Sequence, residues 1–193
     1  VMGWIMDGIY RTREEIEAGC EPNASLGQKI YRDINHDGVI NQYDIVYLGN
    51  YNPVLTGGAG LTVKYKQVSL SAFFHGRFGQ SIVNTARMNN ESMYSDDNQS
   101  TAVLRRWRNE GDVTDIPRAL YKEGYNYLGS DRFVEDASFI RLKTLTLNYL
   151  FPKKICNRLG INTLSCFVTG YNLFTWTNYT GQDPEAVSYT HLR

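Results

Sequence analysis

Apolar and polar residues alternate one by one in four stretches of this chain, and that rhythm carries most of the fold. Leu61, Val63 and Tyr65 alternate with Thr62 and Lys64. Beyond Lys66 and Gln67 the alternation resumes, with Val68, Leu70, Ala72 and Phe74 set against Ser69, Ser71 and His75. A period of two marks a strand with one apolar face. Two such runs around a two-residue break predict a hairpin over 57–65 and 68–78, although Lys-Gln lacks the Gly or Asn that such turns favour. A third strand is predicted over 138–151, where Leu145, Leu147, Tyr149 and Phe151 share one face and Thr144, Thr146 and Asn148 the other; Pro152 ends it. A fourth runs over 163–175, with Phe174, Trp176 and Tyr179 clustered at its end. Residues 3–10 read as a short strand or loop and 13–18 as a weak helical turn. Residues 76–132 are polar and rich in Gly and Asn, and read as a long loop with one helical turn near 100–108, capped by Ser100. The pattern predicts an all-β antiparallel chain with one short loop helix. Apolar rows on one face suit a membrane barrel, lipid outside and water inside; a half-exposed soluble sheet gives the same alternation.

Composition narrows the classes. The 193 residues suffice for one domain with a core. Lys and Arg balance Asp and Glu at 20 each, so neither nucleic acid nor an anionic surface is indicated as a partner. Fourteen Tyr, eight Phe and seventeen Gly favour β-structure with many turns. No apolar run approaches the length of a transmembrane helix, which leaves a membrane β-barrel open. Cys20, Cys156 and Cys166 have no metal-ligand spacing and read as three incidental thiols, with one disulfide as the alternative. No signal peptide is visible and the first residue is Val1, so the chain is expected to be a mature product or a piece of something longer.

Residues 33–44 read Asp-Ile-Asn-His-Asp-Gly-Val-Ile-Asn-Gln-Tyr-Asp. A calcium loop places hard oxygen ligands at its positions 1, 3 and 5, a sharp turn at 6, a carbonyl at 7 and a carboxylate at 12. Asp33, Asn35, Asp37, the Val39 carbonyl, Asn41 and Asp44 fill that pattern, and Gly38 takes the turn. Asp44 is one methylene shorter than the usual Glu. An Asx-rich turn without metal is the other reading. The flanks are not helix-loop-helix, since β-branched and aromatic residues broken by Gly49 and Pro53 follow. The loop therefore belongs to a larger β-architecture. Asp96, Asp97, Glu110, Asp112 and Asp115 do not form a motif for acid/base work, the three histidines do not cluster, and no nucleophile motif is present, so an enzyme is not expected.

Several pieces occur in one order: Asp7-Gly8-Ile9-Tyr10 with Glu14-Glu15-Ile16, then Asp33 to Asn41, then Ser138-Phe139-Ile140-Arg141-Leu142-Lys143. Leu147-Asn148-Tyr149, Gly170-Tyr171-Asn172-Leu173-Phe174-Thr175 and Gly181-Gln182-Asp183-Pro184-Glu185 complete the set. In this order the chain resembles the C-terminal end of the SusC/RagA family of TonB-linked outer-membrane transporters, over nearly its whole length. The resemblance implies a 22-stranded barrel around an N-terminal plug, with long extracellular loops. It also implies coupling to TonB through a part not present here, a SusD-like surface lipoprotein, and import of oligosaccharides or peptides across the outer membrane. Residues 1–186 would form the C-terminal portion of the barrel. The family ends in one more strand, which residues 187–193 do not show, so that tail is expected to be truncated or non-native. Parity of the strands then puts the turns at Lys66-Gln67 and 152–162 in the periplasm, and the calcium loop and 76–132 on the cell surface. The alternative function is a soluble extracellular calcium-binding interaction module similar to a dockerin, although dockerins carry two such loops on paired helices.

Overall fold

A computed structural model describes residues 1–21 and 23–185 of the protein. The tail expected at 187–193 lies outside the described residues. In chain order the strands are β1 (Met2–Gly3), β2 (Met6–Ile9), β3 (Lys29–Tyr31), β4 (Val46–Tyr47), β5 (Leu55–Tyr65), β6 (Val68–Phe78), β7 (Ser81–Val83), β8 (Val134–Asp136), β9 (Phe139–Leu150) and β10 (Ser165–Thr177). Three short helices, α1 (Arg13–Ala18), α2 (Thr85–Asn90) and α3 (Lys153–Arg158), join four brief 3₁₀ turns. The chain divides into two compact units.

One unit holds Asn52–Gln80, Asp136–Tyr179 and the chain from Asp183. Its four long strands form one antiparallel sheet in the order β10-β9-β6-β5. The predicted hairpin is present in full. Its tight turn falls at Lys66, which takes a left-handed φ of 52° although it is neither Gly nor Asn. Partners in register share a face, so the rows can be followed across the sheet. Tyr65, Val68, Tyr149 and Cys166 make one row. Val63, Leu70, Leu147 and Val168 make the next, then Leu61, Ala72, Leu145 and Gly170. Thr62, Ser71, Thr146 and Thr169 lie on the opposite face, hydroxyl to hydroxyl at 3.1 Å for Thr62–Ser71 and 3.0 Å for Thr146–Thr169.

The rows shift phase at one level. Against β6 the pairing jumps from Phe73–Thr144 to Phe74–Leu142, and against β10 from Tyr171–Thr144 to Phe174–Leu142. Lys143 is thus an extra residue in β9, opposed in β10 by Asn172 and Leu173, where Asn172 has a φ of 52°. Such a bulge changes which alternate residues face inward. Before it Arg141 and Lys143 lie on the polar face; after it Thr144, Thr146 and Asn148 do. α3 occupies the connection after Pro152, which sequence alone left without structure, and buries Cys156.

The other unit holds Val1–Tyr51, Ser81–Glu135 and Thr180–Gln182. Only short strand pairs are found here, β1 with β4, β2 with β3 and β7 with β8. α1 forms where expected, its first turn capped by the Thr12 hydroxyl accepting from the Glu15 amide at 3.4 Å. The reading of 76–132 as an open loop is corrected. Beyond the end of β6 it contains β7, α2 and 3₁₀ turns, and it supplies Met93, Trp107, Ile116 and Leu120 to a core shared with Ile9, Tyr10, Tyr31 and Phe133. Polar composition hid this, because a few large side chains suffice to order a segment whose backbone bonds back to its neighbours. Arg118 donates its amide to Gly27 at 2.8 Å and the Trp107 amide bonds Ile116 at 2.9 Å. Gly27 is required there: its φ is +79° and a Cβ would sit 2.3 Å from the Trp107 ring. The helical turn capped by Ser100 exists as the 3₁₀ turn Thr101–Arg105, with the Ser100 hydroxyl accepting from Ala102 at 3.2 Å.

Candidate functional site

The Asp33–Asp44 loop folds on its own polar atoms. The two Asp33 carboxylate oxygens accept from the amides of His36 at 2.7 Å and Gly38 at 2.8 Å. Asn35 Oδ1 accepts from the Asp37 amide at 3.0 Å, and Asp37 Oδ1 from the Val39 amide at 2.9 Å. Asn41 Nδ2 donates to the Val39 carbonyl at 3.1 Å, while Asn41 Oδ1 caps a 3₁₀ turn by accepting from Tyr43 at 2.8 Å. Asp44 is fully buried and accepts from the amides of Asn41 at 2.8 Å and Ile34 at 2.9 Å. The Asn41 amide is the largest influence holding the Asp44 carboxyl below the usual range. All six candidate ligands are therefore brought into one loop, and each oxygen already accepts a bond within it. A carboxylate offers about four acceptor positions, so these bonds do not exhaust the set. Among the described residues, no cluster of three or more His, Cys, Asp or Glu side chains is gathered as a metal site. His36 and Gly38 take left-handed φ values of 59° and 81°, which give the loop its sharp turn.

The sheet offers a different kind of site, its two faces. One face carries no charged residue along any of its rows, and its side chains stand open: Leu61 is 62% exposed, Val168 69% and Trp176 54%. Aromatic residues sit at both ends of this face, with aliphatic rows between. Tyr65 and Tyr149 lie at the hairpin end, where Tyr149 meets Phe151 edge-on at 4.9 Å; Phe174 and Trp176 stack at 6.2 Å at the other. From Tyr65 to the row of Gly57 and Trp176 is about 26 Å along the strand at about 3.3 Å per residue. An apolar band of that order flanked by aromatic girdles is what a lipid-facing barrel wall presents. A soluble module does not leave so large an apolar face open, which counts against the dockerin-like alternative. The opposite face is polar but not purely so: Phe73 and Tyr171 interrupt its hydroxyl rows, on either side of Thr144.

At one end of that polar face lies a compact ion cluster that the sequence reading did not assemble. Each of the three Arg141 nitrogens donates a bond: Nε to Thr175 Oγ1 at 2.9 Å, Nη1 to Glu185 at 2.7 Å and Nη2 to Asp183 at 2.5 Å. Lys143 Nζ adds a bond to Glu185 at 3.1 Å. Burial pushes the Glu185 carboxyl up, but Lys143 and Arg141 outweigh it and hold the group below its ordinary value. Gln80 donates to the Pro184 carbonyl at 3.3 Å. Two sequence pieces more than 35 residues apart are thus one cluster. The signal was present in the adjacent polar pair Lys143-Thr144, which breaks the alternation and marks the bulge.

Other charged groups pair or cap within the fold. In the other unit Arg132 pairs with Glu91 at 2.7 Å, both side chains 8% exposed, and Arg87 pairs with Glu91 and Glu135. Lys29 is buried with its ammonium 4.8 Å from the centroid of the Phe133 ring and without a hydrogen-bond partner among the described residues. Burial, then the nearby Arg132, lower its pKa to about 7. Burial raises the Glu21 carboxyl, against the pull of the Tyr125 hydroxyl bonded to it. Asp112 caps a turn by accepting from the amides of Arg108 and Asn109, and Asp97 accepts from Ser95 at 2.6 Å. Cys20, Cys156 and Cys166 are free thiols.

Comparison with known proteins places this geometry. No family model matches the chain. TonB-dependent receptor P26 of Formosa agariphila is 32% identical over 183 residues, 94% of this chain and 18% of that protein. TonB-dependent receptor P3 of the same organism is 28% identical over 186 residues, 95% of this chain and 18% of that protein. Among solved structures, the RagAB peptide importer in its closed-closed state superimposes with a TM-score of 0.75 at 24% identity, over 96% of this chain and 20% of that one. The open-open state gives 0.73 at 23%, again over 96% of this chain and 20% of that one. The chain thus spans about a fifth of the length of the proteins it matches. The unbroken apolar face and these relatives agree: the chain belongs to the TonB-dependent receptor family, and its fold is that of the matching part of RagAB.

Proposed function

We propose that this chain forms part of the barrel wall of a TonB-dependent importer in the outer membrane, one that takes up oligosaccharides or peptides with a SusD-like surface lipoprotein. The observation that carries the reading is the charge-free, exposed sheet face between two aromatic girdles. The names of the relatives support it, since RagAB is described as a peptide importer. In this reading the barrel has 22 strands. The turns at Lys66-Gln67 and after Pro152 face the periplasm, and the Asp33–Asp44 loop and residues 81–133 face outward, in keeping with long outer loops and short inner turns. The test is a deletion of the full-length gene, followed by growth on single oligosaccharides or peptides with and without TonB. Loss of one uptake activity that also needs TonB supports the proposal; unchanged uptake of every compound refutes it.

The same reading extends to the loop. Asp33, Asn35, Asp37, the Val39 carbonyl, Asn41 and Asp44 would hold one calcium ion as a structural brace on the cell surface, with an affinity of roughly 10⁻⁴ to 10⁻³ M as in extracellular modules. Several flexible oxygens suit calcium better than magnesium, which demands a tight octahedron. Calorimetry on the full-length protein, wild type against Asp37→Ala, decides it. Equal heats in the two proteins make the loop a turn and nothing more.

A further inference from the structure

The polar face of the long sheet is unevenly covered. Tyr171 and Phe167, on that face, are 70% and 68% exposed. At the end where β9 begins, Phe139 is 1% and Arg141 7% exposed. The chain that takes up the Arg141 donors there is Asp183–Glu185, with Pro184 buried between its two acids. This segment belongs to no helix or strand.

We propose that Asp183–Glu185 is a strap latched over the water-facing wall by Arg141 and Lys143, and that its release uncovers this end of the wall during uptake. The proposal rests on the importer reading above. The two sides of the latch are unlike in kind. Arg141 and Lys143 belong to a strand paired on both edges, and the β9 bulge keeps both on the same face as Thr144. The acids stand on irregular chain, with side chains 40% exposed at Asp183 and 22% at Glu185, whereas on the strand Arg141 is 9% exposed and Lys143 40%. Charge-assisted bonds at 2.5, 2.7 and 3.1 Å close the latch. Bonds of this kind, partly open to water, weaken as salt screens them, whereas a strand ladder does not. The Gln80 bond to the Pro184 carbonyl positions the strap, and the four charges balance within the cluster, two positive and two negative. His75 is in register with Arg141 and lies on the same face. Opening the strap leaves two cations on the wall and an acidic segment free to swing. The strap belongs to no strand of the sheet, so its release breaks no ladder bond.

Two measurements on the full-length protein test this. Hydrogen exchange at the Asp183 and Glu185 amides reads the latch, Pro184 having none: with Arg141→Gln and Lys143→Gln together, exchange there should quicken by at least about tenfold, and high salt should quicken it in the wild type. Unchanged exchange in both overturns the latch, whatever the protein transports. Release is read in cells with a Lys143→Cys, Glu185→Cys variant joined by a short bis-methanethiosulfonate crosslinker. Uptake should stop when the link forms and return with reductant, while each single cysteine variant, like the native thiols, should not respond. Full uptake through the linked protein overturns gating by the strap. A deletion strain with no uptake defect overturns the importer reading instead, and the exchange measurement still decides the latch.

Discussion

An arginine at Leu145 should cost the protein far more than one at its neighbour Thr146. Leu145 lies in the row of Leu61, Ala72 and Gly170 on the apolar face. Four residues separate it from Tyr149 in the girdle at the hairpin end, about 13 Å along the strand. Ile140 and Trp176 lie a similar distance on the other side, across the bulge. Leu145 is therefore near the middle of the band, where a cationic side chain facing lipid costs about 3 kcal/mol, or about 150-fold in the folding equilibrium. Thr146 faces the water side, paired with Ser71 and bonded to Thr169. Replacing it loses one hydroxyl bond, about 1 kcal/mol, with no charge placed in lipid. The assay is guanidinium unfolding of the full-length protein in lipid vesicles, followed by tryptophan fluorescence. Equal losses at the two sites, or a larger loss at Thr146, would refute the assignment of faces.

Produced alone in water, the chain should aggregate, because among the described residues β5 and β10 are each paired on one edge only and the apolar face has no lipid; light scattering should show large species in buffer and dispersed protein in detergent. The buried Lys29 should make stability pH-dependent. Its pKa is lowered in the fold, so between about 7 and its unfolded value near 10.4 the unfolded chain holds the extra proton. Stability should therefore rise with pH across that window and be lowest below about 7, by on the order of a few kcal/mol. Lys29→Met should flatten the profile of denaturation midpoint against pH, and an unchanged slope would show that Lys29 is not the source. Gly27→Ala should destabilise by about 2 kcal/mol or more, since a methyl group meets the Trp107 ring at a backbone angle that side chains avoid; a melting curve equal to wild type would contradict this.

Local periodicity was enough to find the four long strands, to within a few residues at their ends, and to sort Val68, Leu70 and Ala72 from Ser69 and Ser71. A strand's alternation needs no knowledge of its partners. α1 and the Ser100 cap were legible for the same reason, since capping bonds span three residues or fewer. The spacing of the Asp33–Asp44 loop was enough to show that its six candidate oxygens lie together, because all belong to one short loop of chain. What sequence did not reveal depends on contacts between distant residues. The burial of Trp107, Ile116 and Leu120 was invisible in a polar, Gly-rich stretch, because the segment packs and bonds back to distant chain such as Gly27. Phe73 and Tyr171 on the water-facing side follow from register, as does the β9 bulge. The clamp of Arg141 and Lys143 on Asp183 and Glu185 exists only once the strand and the strap are brought together. Ion pairs have no sequence period, so only tertiary structure can choose which charges meet.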